Sequence, residues 1–165
     1  MNEYVDAYFN GAYQDTSFQD DFLLAPASAA AGFPFDLLEG NEAANSPEWS
    51  YSFGVNGNYP LPGKDWSLIG NASYSYTGSR FSTVTNAPSS EMDPLNILNL
   101  RAGIENDAWS VVAFVSNATN DVEFTSISGS LGVPVVTANG ELDILATDVA
   151  VNRPRTIGIE ATARF

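Results

Sequence analysis

The stretch Thr156-Ile-Gly-Ile-Glu-Ala-Thr-Ala-Arg-Phe165 decides the fold class of this chain, because it alternates strictly between two kinds of side chain. Apolar residues occupy the odd positions from Ile157 to Phe165, and the even positions carry Thr, Gly, Glu and Arg. Successive side chains of a β-strand point to opposite faces, so a period of two predicts a strand with one apolar and one polar face. With the preceding Pro154, this strand is expected near residues 154–165.

Five earlier segments repeat this alternation. The clearest one begins at Trp49, with aromatic or apolar residues at most odd positions and Ser, Gly or Asn at most even positions. The five segments lie near residues 4–16, 49–61, 66–77, 95–105 and 108–117. Together with the final segment they predict an all-β fold, an antiparallel meander of about six strands in one unit spanning residues 1–165.

The composition excludes several classes of protein. The chain has 20 acidic and 6 basic residues and a net charge of −14, whereas a nucleic-acid partner requires a basic surface. It contains no Cys and no His, which removes disulfides, Cys/His zinc sites and Ser-His-Asp or Cys-His catalysis. We therefore expect no nucleic-acid partner, no catalytic residues, no cofactor or metal site, and no enzyme activity.

The connections between the predicted strands alternate in length. Long connections span roughly residues 17–48, 78–94 and 119–152, whereas short turns follow Leu61 and Glu105. An antiparallel meander therefore collects the long connections at one end of the sheet and the short turns at the other. Outer-membrane barrels show this asymmetry, with long extracellular loops and short periplasmic turns. The pattern favours transmembrane strands, which need about 9–11 residues each.

Aromatic residues gather near the ends of the predicted strands, as in the aromatic girdles of outer-membrane barrels. The residues expected at the membrane interfaces are Trp49, Tyr51, Tyr59, Trp66, Tyr74, Tyr76 and Trp109. The opposite faces carry polar residues that suit a wet lumen, where they form ion pairs or contact a substrate. The candidate lumen residues are Asn56, Asn58, Asn71, Asn99, Arg101, Glu105, Glu160 and Arg164.

Four segments resemble the C-terminal part of the β-barrel of TonB-dependent outer-membrane receptors. They are Asn45-Ser-Pro-Glu-Trp49, Leu98-Asn-Leu-Arg-Ala-Gly-Ile104, the strand that closes on Asn117-Ala-Thr-Asn120, and the segment from Arg153 to Phe165. The resemblance rests on the order and spacing of these motifs and covers most of residues 45–165. Residues 1–44 match only as a strand and a loop.

The resemblance implies that the six strands end a larger barrel of the 22-stranded type, which encloses an N-terminal plug domain. Receptors of this family take up ferric siderophores, cobalamin or sugars with energy that TonB delivers through the plug. It also implies a place in the bacterial outer membrane. The implied partners are outer-membrane lipid, the barrel-assembly machinery, and the missing N-terminal barrel and plug, which the candidate lumen residues would contact.

The two ends of the chain carry further expectations. No secretory signal is recognisable at Met1, and an outer-membrane protein needs one, so we expect the chain to be a piece of a longer one. The terminal Phe165 resembles the signal by which the barrel-assembly machinery recognises its clients, and it is the candidate assembly signal.

Two other interpretations stay open. A complete small outer-membrane barrel with a structural or adhesive role needs at least eight strands, so residues 17–48 or 119–152 would have to contain a further hairpin, weakly indicated at Val135 to Ile144. A soluble lipocalin-like binding protein would turn its apolar face inward. The membrane interpretation instead predicts a convex, lipid-facing side. It should carry Trp49, Phe53, Val55, Leu68, Leu100, Val111, Val115 and Ile159.

Overall fold

A computed structural model describes residues 4–21, 39–136 and 142–164 of the chain. The regular structure in these residues is β, apart from one 3₁₀ turn at Pro88–Ser90. The strands are β1 (Val5–Tyr13), β2 (Trp49–Pro60), β3 (Ser67–Thr77), β4 (Arg80–Phe81), β5 (Glu91–Met92), β6 (Leu95–Glu105), β7 (Trp109–Ser116), β8 (Phe124–Val136), β9 (Leu142–Val151) and β10 (Thr156–Ala163). The prediction of an all-β, antiparallel fold is confirmed.

Six strands form one antiparallel sheet in the order β1-β2-β3-β6-β7-β10. The strands that are skipped, β4, β5, β8 and β9, lie in the long connections and form two separate two-stranded sheets. Each strand of the six-stranded sheet falls within a segment that alternates in the sequence. Because β1 and β10 are not paired with each other, both are edges of the described sheet.

The two short turns have the geometry that their residues favour. Gly63, after β2, has a φ of +71°, a left-handed conformation that glycine adopts without steric cost. After β6, the Oδ1 atom of Asn106 accepts hydrogen bonds from the backbone N–H groups of Ala108 and Trp109, at 3.0 and 2.7 Å. Both turns lie at one end of the sheet, the turn end, and the described parts of the three long connections lie at the opposite end, the loop end.

The connection between β7 and β10 differs from the expectation. In place of an irregular loop over residues 119–152, it contains the β8–β9 hairpin. Its pairing shifts register near Gly129 and again before Pro134. These irregularities interrupt the period of two, which explains why the alternation indicates only a weak hairpin there. Most of the first long connection, residues 22–38, falls outside the described part.

The buried residues concentrate at the loop end. Met92 is 0% exposed, and Ala87, Ser90, Asn117 and Ile127 are also buried. There β8 and β9 pack against the 3₁₀ turn, and β8 also contacts β5. The long connections therefore build a small core of their own. No helix in the described ranges is long and apolar enough to span a bilayer.

Candidate functional site

One face of the six-stranded sheet carries apolar residues from every strand. Residues paired across an antiparallel sheet point to the same side, and the register keeps the apolar positions of neighbouring strands together. At mid-height the paired residues are Ala7, Val55, Ala72, Leu100, Val115 and Ile157, one from each strand. We call this surface the apolar face and its reverse the polar face.

The apolar face is open to its surroundings. Phe9 is 70% exposed, Phe53 48% and Ile159 77%. The residues expected to share this side do lie together on it: Trp49, Phe53, Val55, Leu68, Leu100, Val111, Val115 and Ile159. A continuous exposed apolar surface of this kind marks contact with a partner or a membrane.

The apolar face contains a depression near its centre. Small residues follow one another across its centre, among them Gly57, Gly70 and Ala102. They leave an open depression of about 580 Å³ beside the larger side chains of Leu100 and Val115. The depression is broad and shallow, and the large side chains around it remain exposed. Large and small residues therefore alternate in height across the face, and they do not enclose a cavity.

Four of the aromatic residues expected at a membrane interface lie toward the loop end. Trp49 contacts Tyr13 across β1 and β2, with ring centroids 4.7 Å apart. Tyr51 stacks on Tyr76 at 4.9 Å, and Tyr74 packs against Phe53 at 5.2 Å. Such pairs contribute about 0.5–1.5 kcal/mol each beyond the area they bury. Tyr51, Tyr74, Tyr76 and Phe53 form one cluster of rings across β2 and β3, and Tyr13 and Trp49 form a separate pair.

The other three expected aromatic residues lie toward the turn end. Tyr59 packs edge-on against Tyr4, with ring centroids 5.3 Å apart. Trp66 directly precedes β3, and Trp109 is the first residue of β7. The seven aromatic residues therefore form two groups at opposite ends of the sheet. The six strands of the sheet are 8 to 12 residues long.

The polar face carries a ladder of hydrogen-bonded side chains. The Nδ2 atom of Asn71 donates to Asn56 Oδ1 at 2.6 Å, and Asn56 Nδ2 donates to Asp6 Oδ2 at 2.7 Å. All three residues lie at the same height, because Asp6 pairs with Asn56 and Asn56 with Asn71. Asn58 lies on the same face, nearer the turn end. Of this group, Asp6 was not singled out from the sequence.

The ladder continues at Arg101, which faces Asn71 across β3 and β6. Its Nη2 atom binds Glu160 Oε2 at 2.8 Å, and both side chains are about half exposed. Because β7 lies between these strands, the arginine crosses above Phe114, with its Cζ atom 5.9 Å from the ring centroid. Phe114 in turn covers Gly158, where a Cβ atom would approach its Cζ to 2.5 Å. The glycine therefore leaves room for the ring.

The remaining polar candidates are not part of this ladder. Glu105 and Arg164 approach each other at 3.9 Å at the turn end, and Arg164 Nη1 also donates to the carbonyl of Asn106 at 3.3 Å. Asn99 lies toward the loop end, where its Oδ1 accepts the backbone N–H of Asn117 at 3.1 Å. Asn99 therefore stabilises a turn, whereas Asn56, Asn71, Arg101 and Glu160 form the centre of the polar face.

Asn117 organises the connection between the sheet and the β8–β9 hairpin. Its Nδ2 atom donates to the carbonyls of Asp121 and Arg153, at 2.8 and 3.0 Å. Its Oδ1 atom accepts the backbone N–H of Asp121 at 3.1 Å. The residue is buried and has a φ of +51°, a conformation that Asn tolerates better than most residues. A single amide therefore joins both ends of the third connection.

Two further Asn residues hold the same connection. Asn120 Oδ1 accepts the backbone N–H of Arg155 at 3.0 Å, and Asn152 Nδ2 donates to the carbonyl of Asp121 at 2.8 Å. These structural roles were not predicted from the sequence. The sequence feature that could have indicated these roles is the presence of Asn at the start and end of a long connection. Asn side chains commonly form hydrogen bonds with the backbone groups of turns.

The first and second long connections also bind each other. Asn86 Oδ1 accepts the backbone N–H of Glu42 at 2.6 Å, and its Nδ2 returns a bond to the Glu42 carbonyl at 3.1 Å. Asn41 Nδ2 donates to the carbonyl of Val84 at 3.0 Å. We call the described residues of the three connections, together with β8 and β9, the loop cap. It is one assembly held by amide hydrogen bonds and the buried Met92.

The described residues contain no group of three or more Asp or Glu side chains that could hold a metal ion. Phe165, the candidate assembly signal, lies outside the described residues. Comparison of the chain with protein-family models, curated proteins and solved structures finds no match. The candidate site is therefore defined by the two faces of the sheet and the loop cap alone.

Proposed function

We propose that this chain forms part of the barrel wall of a TonB-dependent outer-membrane receptor, which takes up ferric siderophores or a similarly scarce nutrient such as cobalamin or a sugar. The observation that carries the proposal is the register of the six strands. It joins the alternating residues of the strands into one continuous, exposed apolar face. Exposing such a surface to water costs free energy, whereas the hydrocarbon core of a membrane accommodates it.

In this proposal the apolar face contacts outer-membrane lipid. The two aromatic groups at the ends of the sheet lie at the two membrane interfaces, where Trp and Tyr rings are favoured. The turn end faces the periplasm and the loop cap faces the cell exterior. The unequal lengths of the connections support this orientation, because outer-membrane barrels have short periplasmic turns.

The polar face lines the lumen. The ladder from Asp6 to Arg101 and the exposed Arg101–Glu160 pair suit a water-filled interior or the polar surface of a plug domain. Exposed side chains of this kind make and exchange hydrogen bonds with water at little cost. We therefore assign contact with the substrate or plug to Asn56, Asn71, Arg101 and Glu160. Asn99 is a weaker candidate, because its side chain already binds the backbone of Asn117.

The edges of the sheet support a larger parent barrel. Unpaired backbone groups are not tolerated in lipid, and β1 and β10 both present free edges in the described sheet. Pairing with the remaining strands of the parent removes both edges and encloses the plug. The barrel-assembly machinery then acts on the final strand, with Phe165 as the residue it recognises.

A complete small barrel is supported less well. The β8–β9 hairpin raises the number of long strands to the eight that such a barrel needs. However, the hairpin pairs only with itself and packs on the 3₁₀ turn of the loop cap. A lipocalin-like binder would place the large apolar side chains inside, yet Phe53 and Ile159 are exposed. We therefore retain the receptor-wall proposal.

Depth-dependent fluorescence quenching tests this proposal. In a chain with its three Trp residues changed to Phe, Leu100→Trp places a single indole at the centre of the apolar face, and Asn71→Trp is the matched variant on the polar face. In bilayers with lipids brominated deep in the acyl chain, we expect strong quenching of the first variant and weak quenching of the second. Equal quenching of the two in chains that are bound to the vesicles would contradict the assignment of the faces.

A further inference from the structure

The cluster of rings across β2 and β3, which we call the ring cluster, is joined to the loop cap by a chain of side-chain hydrogen bonds. Tyr74 Oη donates to Asn96 Oδ1 at 2.7 Å. Asn96 pairs with Tyr76 and therefore lies on the apolar face. Its Nδ2 atom and its backbone N–H both donate to Asp121 Oδ2, at 3.1 and 2.7 Å. Because Asp121 belongs to the third long connection, these contacts lead from β3 into the loop cap.

The Asn96 amide is bound on both sides. Its oxygen accepts the Tyr74 hydroxyl and its nitrogen binds Asp121, while its backbone carbonyl accepts the hydroxyl of Thr119 at 3.1 Å. Each hydrogen-bonding group of Asn96 is therefore engaged. Removing the Tyr74 hydroxyl leaves the amide oxygen without this donor and removes one of the two contacts that orient the side chain.

Asp121 carries the chain of hydrogen bonds to the base of the β8–β9 hairpin. Its backbone N–H donates to Asn117 Oδ1 at 3.1 Å. Its carbonyl accepts the Nδ2 groups of Asn117 and Asn152, each at 2.8 Å. Asn152 Oδ1 in turn accepts the backbone N–H of Glu123, directly before β8, at 2.9 Å. Both ends of the hairpin base therefore meet at a residue that Asn96 holds.

We propose that Tyr74 is a positioning residue that transmits contact at the apolar face to the loop cap, with membrane lipid as the contacting partner. The identity of this partner rests on the proposed function, whereas the hydrogen bonds do not. A hydrogen bond strengthens when water is excluded from its surroundings. Lipid that covers the ring cluster therefore strengthens the Tyr74–Asn96 bond, which holds Asp121 and the hairpin base in place. The strands keep their own backbone pairing, so the sheet does not depend on this link.

Hydrogen exchange in aqueous buffer tests the chain of hydrogen bonds without a membrane. Tyr74→Phe removes the hydroxyl and keeps the ring, and we expect the amides of Asp121 and Glu123 to exchange about two- to fivefold faster. The amide of Glu42, which binds Asn86 Oδ1 elsewhere in the loop cap, should be unchanged. Equal acceleration of all three amides would mean a general loss of stability, and no acceleration would mean that the hydroxyl holds nothing. Either result would overturn the proposal.

Two further variants separate this hydroxyl from the rest of the ring cluster. Tyr76→Phe removes a hydroxyl from the same cluster but leaves the Tyr74–Asn96 bond in place, so it is the matched control and should leave the exchange of Asp121 and Glu123 unchanged. In an Asn96→Ala chain, where the link is already broken, Tyr74→Phe should add no further acceleration. Acceleration by Tyr76→Phe as large as that by Tyr74→Phe, or additive effects of Asn96→Ala and Tyr74→Phe, would refute the link.

Phosphatidylcholine vesicles test the response to lipid. The acceleration that Tyr74→Phe causes at Asp121 and Glu123 should be about twofold larger in vesicle-bound chains than in buffer, because lipid strengthens the bond that the variant lacks. An equal acceleration, in vesicles whose lipids quench the Leu100→Trp chain, would overturn the inference and leave the proposed function standing. Absence of quenching in bound chains would refute the proposed function and, with it, lipid as the partner. The experiment in buffer then decides the hydrogen-bond chain alone.

Discussion

The six-stranded sheet and the loop cap place their apolar residues in opposite ways. In the sheet, large side chains such as Phe53 and Ile159 are exposed, whereas in the loop cap Met92 is fully buried, and Ala87 and Ile127 are also buried. The loop cap thus resembles the interior of a small water-soluble unit. The sheet resembles a surface whose apolar contacts lie outside the chain. This difference indicates that the loop cap is stabilised by apolar contacts within the chain, whereas the sheet depends on apolar contacts with its surroundings.

The two regions also use their polar residues differently. In the loop cap, the amides of Asn86 and Asn117 bind backbone groups and replace regular secondary structure. In the sheet, backbone groups are satisfied by the strands, so Asn56 and Asn71 bind other side chains on an exposed face. The first kind of contact stabilises the loop cap, and the second leaves polar groups available to water or to another molecule.

The largest expected effect is the loss of the loop-cap core. Met92→Ala should destabilise the loop cap by about 2–5 kcal/mol, because it opens a cavity in a buried site. Leu100→Ala, on the exposed apolar face, is the matched variant and should cost less than about 1 kcal/mol in aqueous buffer. Hydrogen exchange of the Ser82 amide, which bonds to the Ser90 carbonyl, measures the difference. Similar costs for the two variants would remove the contrast between the regions.

A charge on the apolar face should distinguish lipid from water. Phe53→Arg should destabilise the protein in phospholipid bilayers by about 2–4 kcal/mol, the cost of Arg near the bilayer midplane. Its neighbour Ser52 lies on the polar face, so Ser52→Arg should cost much less. Urea unfolding in vesicles provides the measurement. If the two variants are equally stable in vesicles, the apolar face does not contact lipid.

The Asn117 side chain should be needed for the loop cap but not for the sheet. Asn117→Ala should destabilise the loop cap by about 1–3 kcal/mol, since it removes three hydrogen bonds of a buried amide, two to the carbonyls of Asp121 and Arg153 and one from the Asp121 N–H. Asn117→Gly removes the same hydrogen bonds, but glycine adopts the positive φ without strain. The difference in stability between Asn117→Ala and Asn117→Gly therefore measures the cost of the backbone conformation. Exchange rates of the β2 and β3 amides serve as the internal control. Their acceleration together with the loop cap would show that the regions are coupled.

The alternation of the sequence predicted the sheet well, and for a physical reason. When one side of a strand is apolar and the other polar, a shift of one residue would exchange the faces, so the pattern specifies both the strands and their register. The same reasoning placed Trp49 and Leu100 on one surface. It could not decide whether that surface contacts lipid, because exposure alone does not identify the surroundings.

The loop cap was harder to predict because its contacts are not periodic. The β8–β9 hairpin contains register shifts near Gly129 and Pro134, which hide its alternation. The partners of Asn117 and Asn86 lie far away in the sequence, at Arg153 and Glu42. The polar residues were predicted as a set that can form ion pairs, but the partner of each residue was not predicted. Arg101 pairs with Glu160 across β7 rather than with Glu105 on its own strand.

The smallest expected effect concerns this pair, and it tests how open the polar face is. Because both side chains are about half exposed, Glu160→Gln should cost only about 0.2–1 kcal/mol. The cost should vanish in about 1 M salt, where the Debye length is about 3 Å. Glu48→Gln, another exposed carboxylate, is the control for the change in net charge. Unfolding is measured at low and high salt. A loss that persists at high salt would mean that the pair is shielded from water, and the polar face would then be covered by another part of a larger protein rather than facing an open lumen.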